Sequence, residues 1–191
     1  MNPIVNLDEE LTLFINGFNS DFWDPFFFYI SYRYLWISIG IALIFFVFKK
    51  AKPEYKKAVI FLIFLILTVL VADQICNIFK YSVQRFRPCW DIRFMDRVHV
   101  VNGDRGGKFG FFSAHAATFF ALAYFLTKYF KNNYFTVLIY FIAVLVSYSR
   151  IYLGRHYVGD ILCGAIEGTL IAMAVYYFYT KFSNKYFKKR T

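Results

Sequence analysis

Between Ser149 and Asp160 the chain reads SRIYLGRHYVGD, and this run holds the parts of a nucleophilic histidine. His156 and Asp160 stand at i and i+4, so on a helix they share one face. A carboxylate in that position can accept the Nδ1 proton of the imidazole and fix its tautomer, leaving Nε2 free to attack. Gly154 offers a tight turn between two apolar runs, and Arg150 offers a cation just before it. An Asp in the first turn of a helix also complements the helix dipole. That accounts for Asp160 alone, but not for Arg150, His156 and the turn together.

Two further runs carry groups suited to an anion. In KYSVQRFRP, Lys80 and Arg87 are seven residues apart, which is two helical turns, so both side chains can point to one place. Pro88 disfavours helix for Arg87 and helps to end the segment. Alone this signal is weak, because Lys and Arg commonly flank membrane helices as anchors. The other run is Gly106-Gly107-Lys108 followed by Phe112-Ser113-Ala114-His115. Here a glycine loop enters a helix start, where free N–H groups and the positive dipole end suit a phosphate. Ser113 fits either as N-cap or as a phosphate donor. A lone His at such a place is more often a satisfied interfacial residue than a catalyst, and only its company raises His115 above that.

The elements that must hold these residues are membrane helices. The chain has 191 residues, of which 59% are hydrophobic and 24% aromatic, with mean hydropathy +0.46. Average globular domains are about 45–50% apolar even with Gly counted. A spanning helix needs about 20 apolar residues, and five segments qualify, some only with their flanks. They are Tyr34–Phe48 (lengthened or prefaced by Trp23–Ser31), Ala58–Phe79, Ser113–Leu126, Tyr134–Ser149 and His156–Tyr179. Residues 7–18 predict an amphipathic helix at the interface, with Leu7, Leu11, Phe14 and Ile15 on one face. The expected fold class is thus all-α: one polytopic bundle of about five spans plus an N-terminal interfacial helix, over residues 1–191. Within it, 7–31 form the pre-membrane helices, 80–115 the outer loop region and 149–160 the histidine run.

Charge gives an expected orientation. Lys49, Lys50, Lys52, Lys56, Lys57, Lys128, Lys131, Lys181, Lys185, Lys188, Lys189 and Arg190 fall on one side of a five-span bundle, which the positive-inside tendency makes cytoplasmic. The start MNPIVNLDEELTLF has an acidic cluster, no basic n-region and no cleavable signal, and it falls outside. The other basic residues, Arg33, Lys80, Arg85, Arg87, Arg93, Arg97, Arg105, Lys108, Arg150 and Arg155, fall on the outer side. Eight of these ten are Arg, against one of twelve on the cytoplasmic side. Arg presents a planar fork suited to phosphate, and Lys a compact hydrated charge. The net charge of +10 therefore points to an outer anion site rather than to nucleic acid. Cys76, Cys89 and Cys163 are odd in number and have neither disulfide nor zinc spacing.

The set K-x6-RP, then Ser-x-His, then SR-x5-H-x3-D resembles the three-part signature of the type-2 phosphatidic acid phosphatase and haloperoxidase superfamily. The resemblance covers residues 80–160, and the five-helix layout extends it over most of the chain. The middle motif departs from the usual Pro-Ser-Gly-His, with Phe112 and Ala114 in place of Pro and Gly. The resemblance implies an integral-membrane lipid phosphatase with no cofactor, requiring no metal. Its partners would be a membrane lipid phosphate and the bilayer, with its site on the outer (periplasmic) face of a bacterial inner membrane. It implies that His156 attacks phosphorus, that Asp160 orients it, and that His115 protonates the leaving oxygen and then activates water. Lys80, Arg87, Ser113, Ala114 (through its N–H) and Arg150 would hold the phosphate. Asp73, Arg85, Lys108 and Arg155 are further candidates for a supporting or headgroup role.

The substrate stays open at this point among undecaprenyl diphosphate, phosphatidylglycerol phosphate, phosphatidic acid and lipid A. Two other classes are a vanadate-dependent haloperoxidase and a non-catalytic lipid-binding or transport protein; the intact His156–Asp160 pair weighs against the latter. Asp73 and Glu167 are intramembrane acids, by default functional, and a contact between helices is the preferred reading for both. Gly164 and Gly168 predict close helix packing. His99, Arg93, Arg97 and Arg105 either read a headgroup or hold the outer loop.

Overall fold

The computed structural model describes residues 3–50 and 55–187. Lys52, Lys188, Lys189 and Arg190 lie outside the described residues, as do the side chains of Arg33, Lys49 and Lys50. The helices are α1 Pro3–Asn16, α2 Asp24–Ile30, α3 Arg33–Lys50, α4 Tyr55–Val83, α5 Ala114–Phe130, α6 Asn133–Tyr152 and α7 Val158–Phe187. Among the described residues no strand forms, and Phe86 and Phe109 make an isolated antiparallel bridge. The all-helical class expected from hydropathy is therefore the fold.

Length and composition suit α4, α6 and α7, of 29, 20 and 30 residues, to crossing a membrane. At 1.5 Å per residue even 20 residues reach about 30 Å, the thickness of a hydrocarbon core. α3 and α5 have 18 and 17 residues, the short end of the spanning range. α2 is a separate element that prefaces α3 rather than lengthening it.

α5 lies at the centre, packed on α4, α6 and α7. Small residues make this possible. Ala116, Ala117 and Ala121 are wholly buried, and Gly164 and Gly168 of α7 face them. A methyl on Gly168 would run into the Ala117 carbonyl, and one on Gly164 would lie 2.6 Å from the Ser113 carbonyl oxygen. The two backbones approach closely because neither helix carries side-chain bulk between them. Farther along the bundle the gap widens, and Phe61, Leu62, Phe125 and Tyr179 fill it.

α1 has the expected amphipathic character, but its polar face turns inward. Glu9, Thr12 and Asn16 are buried, while Ile4, Leu7, Leu11 and Phe14 are exposed. Asn16 donates from Nδ2 to the carbonyls of Ile151 and Tyr152, at 3.2 and 2.7 Å, and its Oδ1 accepts from the His99 N–H at 2.8 Å. Leu7, Leu11 and Phe14 of the expected face are thus left for lipid, whereas Ile15, expected beside them, is half-buried against Ala116, Ile151 and Ile161.

Candidate active site

The C-terminal ends of α4 and α6 meet the N-terminal ends of α5 and α7 at one end of the bundle. A cavity of about 330 Å³ opens there, lined by Lys80, Arg87, Ala114, His115, Arg150, Arg155 and His156. Ser31, Tyr32 and Tyr34 from the α2–α3 corner, with Asp104, Gly106 and Gly107 from the long loop, complete the wall.

Each side chain arrives by a local device. Lys80 sits in the last turn of α4. The chain then leaves the helix through Gln84, whose φ is +53°, and Arg87 is extended (φ −70°, ψ 156°) ahead of Pro88, as the proline ring dictates. Arg87 N donates to Lys108 O at 3.0 Å and Gly110 N to Arg85 O at 2.9 Å, so the two loop segments hold each other in register. Arg87 Nε donates to Phe109 O at 3.2 Å.

Ser113 is the N-cap of α5. It is fully buried, and its Oγ accepts from Ala116 N at 3.4 Å. It is not part of the cavity wall, whereas Ala114 and His115 beside it are. Phe112 stacks on Phe79 of α4 with ring centroids 4.5 Å apart, which ties this helix start to the end of α4. His115 Nε2 lies 3.1 Å from Ser31 O, and Arg150, buried at the end of α6, donates to Ser31 Oγ.

Gly154 has φ +65°, a turn that only glycine takes without strain. Through it, the Arg155 and His156 N–H groups both reach Arg150 O, at 2.9 and 3.3 Å. His156 is buried, with Nδ1 3.5 Å from Asp160 Oδ2. The expected i, i+4 pair is therefore brought together, but at a separation longer than a formed hydrogen bond. Asp160 is engaged elsewhere. Its Oδ2 accepts from Tyr157 N at 3.0 Å, and its Oδ1 accepts from Arg85 at 3.0 Å. Gly110 packs against this pair; a methyl there would lie 3.1 Å from Asp160 Oδ2 and 3.5 Å from His156 Nδ1.

The electrostatics favour an anion. Burial first, then Arg87, Arg150 and Lys80, hold the His156 imidazole well below the usual histidine value. Burial and the neighbouring Arg155 hold the Arg87 guanidinium below its usual value. Burial and neighbouring cations together disfavour the charged form in each case, and an anion between these groups would offset the cationic part.

The remaining sequence candidates divide. Arg155 lines the cavity and is ion-paired with Asp104. Arg85 lies behind Asp160 rather than in the wall. Lys108 is exposed, and its carbonyl serves Arg87. Asp73 lies two turns inside Lys80 and accepts from Asn77 at 3.1 Å, while Glu167 meets Cys76 across α4 and α7 at 3.8 Å. The Glu167 contact is between helices, as expected, whereas the Asp73 contact is within its own helix. Arg93 pairs with Glu9 and Asp91 at 2.8 and 2.7 Å, His99 with Asp24 at 2.9 Å, and Arg105 lies over the Trp90 ring; these groups hold the loop. Ser31, Asp104 and Gly110 carry no local sequence signal.

A profile of the PAP2 superfamily matches residues 57–184. The chain is 38% identical over 180 residues to the lipid A 4'-phosphatase of Porphyromonas gingivalis, which covers 94% of this chain and 75% of that protein. It is 38% identical over 165 residues to the lipid A 4'-phosphatase of Bacteroides thetaiotaomicron, covering 85% of this chain and 72% of that one. Among solved structures it resembles Aquifex aeolicus LpxE, with TM-score 0.66 and 23% identity over 87% of this chain and 92% of that chain. It also resembles the first transmembrane PAP2 type phosphatidylglycerolphosphate phosphatase from Bacillus subtilis, with TM-score 0.71 and 20% identity over 100% of this chain and 90% of that chain.

Proposed function

The chain belongs to the PAP2 superfamily and is an integral-membrane phosphatase acting on lipids, and on that premise we propose that it removes a phosphate monoester from a glycolipid headgroup of the lipid A class through a phosphohistidine on His156. The observation that carries this is the single cavity in which Lys80, Arg87, Arg150, His115 and His156 converge at the end of the bundle. The names of the two relatives that match most of the chain support the choice of lipid.

Phosphoryl transfer asks mainly for positioning and charge stabilisation. Lys80, Arg87, Arg150 and the N–H of Ala114 hold the non-bridging oxygens. Neutral His156 attacks phosphorus; an N–P bond forms as the P–O bond to the headgroup breaks. His115 gives its proton to the departing oxygen. Water then attacks the phosphohistidine, and His115 takes a proton from it as inorganic phosphate leaves. Asp160, on the far side of the imidazole, orients His156 and balances its charge.

With α3 and α5 counted as crossings, the lysine-rich ends lie in the cytoplasm together with the C-terminus. The cavity and the N-terminus then lie outside, at headgroup depth.

Phosphate release from lipid A, undecaprenyl diphosphate, phosphatidylglycerol phosphate and phosphatidic acid, measured with purified protein in detergent and no added metal, tests the proposal. The expected result is release from lipid A by wild type and none by His156→Ala. Equal release by both proteins from every lipid sinks it.

A further inference from the structure

The first turn of α7 carries both the orienting carboxylate and the chain that leads to His156, yet Tyr157, at its N-cap position, has no side chain suited to capping. Helix starts leave N–H groups that need acceptors. Asp160 turns back to accept from Tyr157 N, which is half of a capping box. The other acceptors come from α1, nearly the whole chain away. Thr12 Oγ1 accepts from Val158 N at 3.0 Å, and Asp8 Oδ1 accepts from Gly159 N at 2.7 Å. Gly159 is the residue that allows this approach, since a methyl on it would lie 2.9 Å from Asp8 Oδ2.

Arg85 closes the arrangement. One guanidinium nitrogen donates to Asp8 Oδ2 at 2.7 Å and the other to Asp160 Oδ1 at 3.0 Å. Its planar head lies 3.9 Å from the centre of the Tyr157 ring. The Asp160 carboxylate has no solvent exposure and Asp8 has 15%. Two carboxylates thus share one fork, and the fork sets which way Asp160 points. None of these three residues of α1 and the loop faces the cavity.

We propose that Asp8 and Arg85 are positioning residues for the His156–Asp160 pair: α1 docks its polar face on the start of α7 and, through Arg85, fixes the carboxylate that orients the nucleophile. This rests on the phosphohistidine reading above. It assigns α1 a role in catalysis beyond lying at the membrane surface. Asp8 also divides the charge of Arg85, so Asp160 keeps part of its negative charge for the imidazolium side of the reaction.

The test uses the full chain in detergent with wild type, Asp8→Asn, Asp8→Ala, Arg85→Lys, Arg85→Met and the Asp8→Asn/Arg85→Met double variant. Turnover, KM, competitive inhibition by inorganic phosphate and melting temperature are read for each. Arg85→Met is expected to lower kcat by roughly 10- to 100-fold, the scale of a misplaced reacting group, with KM and phosphate inhibition nearly unchanged because Lys80, Arg87 and Arg150 are untouched. Asp8→Asn keeps an acceptor for Gly159 N and should lose less than Asp8→Ala. Arg85→Lys should recover part of the loss, and the double variant should be no worse than Arg85→Met alone. A loss that tracks only the folded fraction, with kcat per folded molecule unchanged, overturns the inference. So does a raised KM at constant kcat, which would make Arg85 a headgroup ligand. Wild-type turnover with an unaltered Arg85→Met refutes this inference alone; absence of turnover in wild type on all lipids refutes the phosphatase reading and this inference with it.

Discussion

The carbonyl oxygen of Ser31 lies 3.1 Å from His115 Nε2, and the hydroxyl of the same residue meets the guanidinium of Arg150. A carbonyl can only accept, so this contact keeps a proton on Nε2 and makes Nδ1 the atom that would carry the second proton to the departing oxygen and later take one from water. The corner between α2 and α3 therefore occupies two groups of the site at once. In Ser31→Ala the backbone contact survives but Arg150 loses an acceptor, and its buried Nε already has no partner among the described residues. An unsatisfied buried donor costs about 1–3 kcal/mol, a penalty that bound phosphate removes. The variant should melt lower than wild type without ligand and regain the difference with inorganic phosphate, which should inhibit it more tightly, by up to about tenfold. Weaker inhibition would mean that the hydroxyl orients Arg150 for substrate.

His156 should stay a neutral imidazole where ordinary histidines are charged. Its folded value is held below the usual 6.5 by burial and by Arg87, Arg150 and Lys80. The unfolded chain therefore binds the extra proton first. The stability this group contributes is present above the unfolded value and is lost as pH falls below it towards the folded one. Nitrogen-15 NMR of histidine-labelled protein, assigned with His→Gln variants, should show His156 neutral at pH 6. Arg87→Ala should move its titration up. Imidazolium at pH 6 in wild type would contradict the electrostatic picture of the site.

How much of this was legible before the structure depends on sequence distance. The K-x6-RP and SR-x5-H-x3-D runs could be read from residue type and proline chemistry, but not from the helical spacing expected of them: α4 ends at Val83, before Arg87, and α7 starts at Val158, after His156, so loop turns bring Lys80, Arg87, Arg150, His115 and His156 to the cavity. The amphipathic face of α1 could be read too, since periodicity alone sets it. What that face does could not: Asp8 meets Arg85 across 77 residues, and nothing near Asp8 in sequence points there. Ser31, Asp104 and Gly110 were invisible for the same reason. Ser113 carried two local readings, and the structure shows its contact as the cap of α5. The His156–Asp160 contact was expected as a hydrogen bond, and competition from Tyr157 N and Arg85 for the same carboxylate explains its length.

Close packing of α5 on α7 should tolerate no side-chain growth. Gly168→Ala places a methyl against the Ala117 backbone, which cannot yield as a flexible side chain can. Overpacking of this kind costs about 1–3 kcal/mol or more. Gly40 in α3 offers the contrast, because among the described residues nothing lies within 4 Å of an added methyl, and Gly→Ala in a helix gains up to about 1 kcal/mol. Thermal melting in detergent should fall for Gly168→Ala and hold or rise for Gly40→Ala. An unchanged Gly168→Ala would show that the two helices are free to separate.

Asp104 is a carboxylate in a cavity wall that also carries Lys80, Arg87, Arg150 and Arg155, and it engages Arg155. Two consequences follow for the group that enters. With Arg155 engaged, Lys80, Arg87 and Arg150 remain to hold a phosphate, and the lone pairs of Asp104 suit the hydroxyls of a sugar. A second phosphate brought beside the carboxylate would meet like charge, which disfavours binding. Asp104→Asn removes that charge and releases Arg155 at the same stroke. The ratio of kcat/KM for a lipid diphosphate over a lipid monophosphate should therefore rise, by about tenfold for each 1.4 kcal/mol of repulsion relieved. Arg155→Gln should leave the carboxylate unopposed and lower the ratio. Steady-state assays of undecaprenyl diphosphate against lipid A with the two variants decide it. A ratio that moves the same way in both would mean that the pair acts only to hold the loop.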